Sequence, residues 1–217
     1  SPDFGVSRDR VDGFTQQMQE KFDVEMVPGL EEAAERSDAI LLTSVDGRIH
    51  LRQFAAIAKF GKPVFIDKPF AVSTADAQEM ADLAAKYNVP LMSSSSLRYA
   101  QSLAEAKAAS GNGDIFGFDC FGPLTLEPVL PGLFWYGIHT VEMLYAVLGK
   151  GCVQVTAVTN DDHDIVTGVW ADGRIGTLRG NRKGNYQYGG FVHRDKSTDF
   201  VNISGDAKPF YVGLLEQ

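Results

Sequence analysis

One lysine and one histidine stand where acid–base chemistry would use them. Lys68 closes the run Val64-Phe65-Ile66-Asp67-Lys68-Pro69, which reads as a buried parallel strand ending in Asp-Lys-Pro. In open α/β sheets, ligands sit at the carboxyl ends of the strands. An amine held there against apolar walls gives up its proton more readily than in water and can serve as acid or base. Pro69 restricts the direction in which the chain leaves the strand. The plainer reading is a surface lysine paired with Asp67. His139 lies in Trp135-Tyr136-Gly137-Ile138-His139-Thr140-Val141-Glu142, at the head of an apolar helix. Imidazole is the usual proton carrier near neutral pH. Tyr136 stands three residues before it, and a helix that already includes His139 places Glu142 on the same face. The plainer reading is a capping histidine among core aromatics.

The elements that must position these residues follow from periodicity. Residues 9–21 have Val11, Phe14 and Met18 at helical spacing, and residues 30–36 make a short acidic helix. The continuous apolar run 39–43 predicts a strand buried on both faces. Leu51, Phe54, Ala55 and Ala58 predict a helix, stopped by Gly61 and Pro63. Val64 to Ile66 is the next strand. Ser73 and Asp76 open a helix whose core face is Ala77, Met80, Ala81 and Ala84, and residues 89–92 form a further strand. This alternation means βαβ units and a parallel sheet. The second half reads as a helix carrying Val141, Leu144, Tyr145 and Leu148. After it come strands over residues 153–159, 165–170 and 174–178, joined by Asp161-Asp162 and Asp172-Gly173 turns. The fold class is therefore α/β: a Rossmann-like parallel-sheet domain over residues 1–97, then an α+β domain with an open, mainly antiparallel sheet over residues 98–217.

Composition narrows the partners. With 20 Lys+Arg against 28 Asp+Glu the net charge is -8, which argues against nucleic acid, since phosphate backbones need a basic surface. No apolar run is long enough to cross a membrane as a helix. Cys120 and Cys152 form no CxxC and point to a reducing, cytoplasmic compartment. The four histidines show no paired ligand spacing, so no metal site is expected. Arg174, Arg179, Arg182 and Lys183 form a basic cluster that reads first as a solvated strand face, and second as a seat for an anionic substrate. His163 and His193 read as surface residues; Phe116, Phe118 and Trp170 read as core. An open sheet face suits a homodimer or homotetramer.

Taken together, Asp67-Lys68-Pro69 and Gly137-Ile138-His139 resemble the glucose-fructose oxidoreductase / inositol dehydrogenase / MocA (Gfo/Idh/MocA) family, over Val11 to about Gly190. That family has a Glu-Lys-Pro strand end and a Gly-Ile-His segment. Its strand-end turn closing with His falls on Ser44 to His50. The resemblance implies an NAD- or NADP-dependent oxidoreductase. It would move a hydride between nicotinamide and a small-molecule substrate such as a sugar, a polyol or a related hydroxy compound. It also implies roles: Lys68 and His139 as the proton-handling pair, and Ser44, Val45, Asp46, His50, Asp67, Lys68 and Pro69 along the cofactor. Arg98, Trp135 and Glu142 would face the substrate. The sequence departs from the pattern in three places. Trp135 occupies the position of the family's Asp, Glu142 replaces an Asp, and Gly47 replaces an Asn. Tyr136, whose phenol can share proton work, is the expected substitute for the missing Asp.

A dinucleotide fold also needs a glycine-rich turn after a strand, where backbone approaches the pyrophosphate at a helix N-terminus. None is found here. The expectation is a chain trimmed at both ends, with that turn upstream of Ser1 and closing helices beyond Gln217. Two other readings stay open: a Schiff-base enzyme using Lys68, and a non-catalytic nucleotide-binding or scaffold relative, which Trp135 favours.

Overall fold

The computed structural model describes residues 1–217, the Ser110 side chain excepted. It divides into two units, Ser1–Ser94 and Ser95–Gln217.

The first unit is built on three short strands, β1 (Ile40–Leu42), β2 (Val64–Ile66) and β3 (Leu91–Ser93), all parallel in the order β1-β2-β3. Register pairs Leu42 with Ile66, and Ile66 with Ser93, so the three strands end together. Parallel neighbours need crossovers. Helix α3 (His50–Ile57) carries β1 to β2, and helix α4 (Thr74–Tyr87) carries β2 to β3. Helices α1 (Gly5–Phe22) and α2 (Leu30–Arg36) precede β1. α4 starts where Ser73 Oγ accepts the Asp76 amide at 3.0 Å. It stops at Asn88, which takes a left-handed conformation (φ 54°). Phe54, Ile57, Val64, Ile66 and Met80 form the buried core.

Three details differ from the periodicity. Leu41 is 70% exposed, so β1 is not buried on both faces. β1 is an edge strand, and no described element covers the side that bears Leu41. Ala55 and Ala81 are exposed, while Ile57 and Leu83 turn inward. The larger side chain at the border of each stripe removes more apolar area from water. The α1 stripe of Val11, Phe14 and Met18 is exposed, and α1 has no buried residue.

The second unit is a six-stranded mixed sheet. Its strands are β4 (Ile115–Pro123), β5 (Cys152–Thr159), β6 (His163–Trp170), β7 (Ile175–Asn181), β8 (Gly189–Arg194) and β9 (Thr198–Val201). The order is β5-β6-β7-β4-β8-β9. All neighbours are antiparallel except β4 and β7. The hairpins β5–β6 and β6–β7 match the predicted turns. Helices α5 (Gln101–Ala108), α6 (Gly137–Leu148) and α7 (Phe210–Leu215) complete the unit. The core gathers Phe118, Met143, Leu144, Leu148, Trp170 and Leu178. Phe116 was expected inside but is 54% exposed, because the pairing of β4 with β8 slips between Ile115 and Gly117. His163 and His193 are half-buried strand residues, not surface turns.

α6 lies close over β7. A Cβ at Gly176 would stand 2.6 Å from Leu148 Cδ1 and 2.9 Å from Leu144 Cδ2. Gly176→Val therefore forces α6 off the sheet. The expected loss is about 1–3 kcal/mol of stability, read as a lower urea midpoint with unchanged slope.

Candidate active site

In the first unit, the turn between β1 and α3 and the loop after β2 are tied together by one buried ring. His50 is fully buried; its Nε2 lies 2.6 Å from the Ser44 carbonyl oxygen and its Nδ1 3.1 Å from that of Phe70. Gly47 lets the two loops close. A Cβ there would meet Pro69 Cγ at 2.8 Å and the Pro69 carbonyl oxygen at 3.0 Å. This gives a steric reason for Gly47 where an Asn was expected. Asp46 is buried as well. It accepts the Arg48 amide at 3.0 Å, Arg48 Nε at 2.9 Å and Nη2 at 2.8 Å, with Ser1 Oγ a further donor. The same guanidinium donates two 2.8 Å bonds to Asp3.

Asp67, Lys68 and Pro69 follow β2 directly, and the Lys68–Pro69 peptide is cis. Burial pushes the Lys68 ammonium below its ordinary value, with the Asp67 charge acting the other way. Burial raises the Asp67 carboxyl, opposed by the Lys68 charge, the Lys68 amide and His50. Among the predicted cofactor residues, His50 and Asp46 thus have their polar atoms engaged in bracing loops. Ser44 and Val45 line a cavity of about 400 Å³ at the end of β1, with Ser7, Arg10 and Phe14 of α1 opposite.

The second unit assembles the other candidates around His139. α6 includes His139 in its first turn. Ser95 Oγ lies 2.7 Å from His139 Nδ1 and accepts the Leu97 amide at 3.1 Å. The rings of Tyr136 and Tyr188 each meet the imidazole edge-on at 5.9 Å. One turn along the helix, Glu142 Oε2 accepts Arg98 Nε at 2.7 Å. Trp135 is 8% exposed and packs edge-on against Tyr136 at 5.7 Å. Burial, then Tyr136 and Tyr211, push the Tyr188 phenol above its ordinary range.

Sequence reasoning named five members of this cluster and missed Tyr188. Ser95 belongs to the serine run 93–96 at a strand's carboxyl end, which reads equally as hydroxyls facing a ligand, with Arg98 nearby, or as a polar loop. Nothing in the sequence marked Tyr188, whose approach depends on how the chain enters β8. The basic cluster is dispersed. Arg174 pairs with Asp172, Arg182 with Asp164 and Lys183 with Asp162, while Arg179 bonds Asn181. Among the described residues no group of three or more His, Cys, Asp or Glu could hold a metal ion, and no helix is long and apolar enough to cross a membrane.

A Rossmann-like parallel unit followed by a mixed, mainly antiparallel sheet, with a lysine at a parallel strand end and a histidine opening a helix, is the two-domain fold of Gfo/Idh/MocA proteins. Residues 9–95 match the family described as an oxidoreductase family with an NAD-binding Rossmann fold, GFO_IDH_MocA. A comparison with curated proteins returns no match. Solved structures share the fold across both units. A probable dehydrogenase from Thermotoga maritima aligns with a TM-score of 0.77 at 22% identity, over 88% of this chain and 66% of that one. A putative myo-inositol dehydrogenase from Sinorhizobium meliloti 1021 aligns with a TM-score of 0.77 at 19% identity, over 88% and 66%. GenD2 from gentamicin A biosynthesis, solved in complex with NAD, aligns with a TM-score of 0.76 at 22% identity, over 89% and 63%. The chain thus spans just under two thirds of the length of these relatives.

The Asp46 carboxyl sets an acid-side dependence. Burial raises it, but the Arg48 and Ser1 hydrogen bonds overcome this and hold it at about 2, against an ordinary 3.8. A carboxyl lowered on folding stabilises above its unfolded value and loses that contribution as pH falls toward its folded value. Arg48→Met should therefore cost roughly 2 kcal/mol more at pH 7 than at pH 2. Urea unfolding of both proteins at the two pH values checks this.

Proposed function

We propose that this chain carries the nicotinamide and substrate residues of an NAD(P)-dependent oxidoreductase acting on the CH–OH group of a sugar, polyol or related hydroxy compound. The observation that carries the reading is Lys68, its ammonium held down by burial, at the carboxyl end of the central parallel strand in a segment matching NAD-binding oxidoreductases. Two solved structures of this fold support the substrate class: one is described as a putative myo-inositol dehydrogenase, and another as a UDP-N-acetylglucosamine 3-dehydrogenase, from Acidithiobacillus ferrooxidans.

The residues present suit the nicotinamide end of such a cofactor. Ser44 and Val45 border the cavity at the end of β1, and Asp67, Lys68 and Pro69 leave the end of β2. No glycine-rich turn leads from a parallel strand into a helix among the described residues, so no pyrophosphate seat is assigned here. Bound nicotinamide supplies the hydride acceptor or donor. Lys68 binds the reacting oxygen and steadies its charge. His139 takes the hydroxyl proton as the carbonyl forms and returns it in the reverse direction. Tyr136 shares that proton work in place of the missing Asp. Arg98 and Glu142, held by their ion pair, and Trp135 shape the substrate side. Residues 1–97 are then the dinucleotide domain and residues 98–217 the substrate and oligomerisation domain of a cytoplasmic enzyme. A second copy covers the open sheet face, where Val158, Ile175, Phe191 and Phe200 are exposed.

Lys68→Met and His139→Asn should each lower kcat by about 10²–10⁴-fold, measured with NADH and NADPH over a sugar and polyol panel. Tyr136→Phe should lower it by a smaller factor; unchanged turnover in that variant, with His139→Ala inactive, removes Tyr136 from the scheme. The amine that suits proton transfer also suits a Schiff base. Borohydride trapping with candidate aldehydes should leave no lysine adduct, and an adduct on Lys68 would replace the dehydrogenase reading. Dinucleotide binding with no turnover of any compound would instead mark a non-catalytic relative.

A further inference from the structure

The open face of the mixed sheet is nearly free of formal charge. Strand register places side chains from all six strands on the side that Asp119 faces. Among the described residues there, one carboxylate, Asp119 on β4, and one guanidinium, Arg179 on β7, stand amid apolar, hydroxyl, amide and imidazole groups. The chain has 28 Asp+Glu in all, so acids are kept off this side. Phe191 and Phe200 are exposed with their ring centroids 5.2 Å apart, and Ile175 and Val158 are exposed as well. Sparse charge with aromatics and an arginine is the make-up of an interface core, not of a solvated surface.

Each charged group is only partly matched. Asp119 accepts the Thr177 hydroxyl, and its Oδ2 lies 2.9 Å from His193 Nε2. No lysine or arginine among the described residues pairs with it. Its carboxylate is half-exposed and borders a recess of about 540 Å³, walled by Phe116, Ile175 and His193. Arg179 is exposed. Its Nε donates to Asn181 Oδ1 at 3.0 Å, and among the described residues it forms no ion pair. An occupant of this face withdraws both groups from water, and a charge withdrawn without a counter-charge is costly. The occupant must therefore bring a cation to Asp119 and an anion to Arg179.

A second copy of this chain brings both. Asp119 pairs in register with Thr177, and Arg179 lies two residues further along the same strand, so the two groups are rooted roughly 8 Å apart. Consider a two-fold axis in the plane of contact, midway between them and at right angles to the line joining them. It sets the Arg179 of each copy on the Asp119 of the other, and one operation forms both pairs. β4 and β7 are the two middle strands of the six. The axis therefore passes through the centre of the sheet, where two faces overlap most. We propose that two copies associate face to face about this axis, with the Arg179 guanidinium of each entering the recess of the other and pairing with Asp119. This rests on the reading that a second copy covers the open face; the axis and the paired residues go beyond it.

The test measures self-association of the full chain by sedimentation equilibrium, with circular dichroism confirming that each variant is folded. The parent should associate. Arg179→Asp and Asp119→Arg should each raise the Kd about a hundredfold or more, because each sets like charges together at two places. Mixed one to one, these two variants should pair with each other near the parent's affinity, since a copy with two arginines then meets a copy with two aspartates. The double exchange Asp119→Arg/Arg179→Asp should associate with itself. Single variants that associate as tightly as the parent overturn the proposal, as does a mixture that stays dissociated. Phe191→Asn/Phe200→Asn, which leaves both charges in place, tests the underlying reading and should weaken association at least about tenfold. A parent that sediments as a monomer, or an assembly indifferent to the loss of both rings, refutes the covered face and the pairing together. An assembly that needs the rings but ignores the charge variants refutes the pairing alone. If Asp119→Arg does not fold, Arg179→Lys decides: it should keep the assembly that Arg179→Asp loses, and equal affinities in the two overturn the proposal.

Discussion

The buried imidazole of His50 determines where the first unit can do chemistry. A three-stranded parallel sheet presents its loops at the carboxyl ends of its strands, and such loops are free to diverge unless something ties them. Here a single ring reaches the Ser44 carbonyl on one side and the Phe70 carbonyl on the other. Gly47 and Pro69 then pack at a distance that no larger residue at position 47 would permit. The turn after β1 and the segment Asp67-Lys68-Pro69 are held as one piece. Lys68 therefore leaves the sheet in a defined environment, partly withdrawn from water, and its ammonium is destabilised for that reason.

The second unit reaches comparable order by a different route. α6 sits low on the mixed sheet because β7 offers no side chain at Gly176. Two contacts, spaced three residues apart on both partners, then join the helix to the Ser95–Tyr99 segment: Ser95 with His139 and Arg98 with Glu142. Neutral and charged partners divide the work. The ion pair is half-exposed and contributes modestly to stability, whereas the buried hydroxyl bears on the histidine itself. Packing sets the height of the helix, and polar pairing sets the orientation of the group it carries.

Much of this was legible from residue order alone. The apolar run Val64 to Ile66 followed by Asp-Lys-Pro, and the helical stripe after Gly137, announced both strand end and helix, because burial imposes a period on the chain that survives in one dimension. Asp-Gly at 172–173 announced a hairpin through its turn preference. Other features were not legible. The parallel pairing of β4 with β7 joins residues some sixty apart, and no local pattern encodes a partner. Ala55 and Ala81 were assigned to the core and lie outside, since a helical stripe defines a face only to within one residue. Phe116 was assigned inward, and a slip in strand register turned it out.

The sequence by itself determined the class of the protein: alternating buried strands and amphipathic helices, a lysine at a strand end, a histidine opening an apolar helix, and through these the resemblance to a family of oxidoreductases. Only the tertiary structure decided what each of these groups touches. It made His50 and Asp46 braces, their polar atoms already engaged by the loops they hold. It brought Ser95 and Tyr188, 44 and 49 positions away along the chain, against the ring of His139. Periodicity records which way a residue faces relative to its own element. Which groups meet is set by how elements pack, and that depends on pairings between distant stretches that leave no mark on their neighbours in the chain.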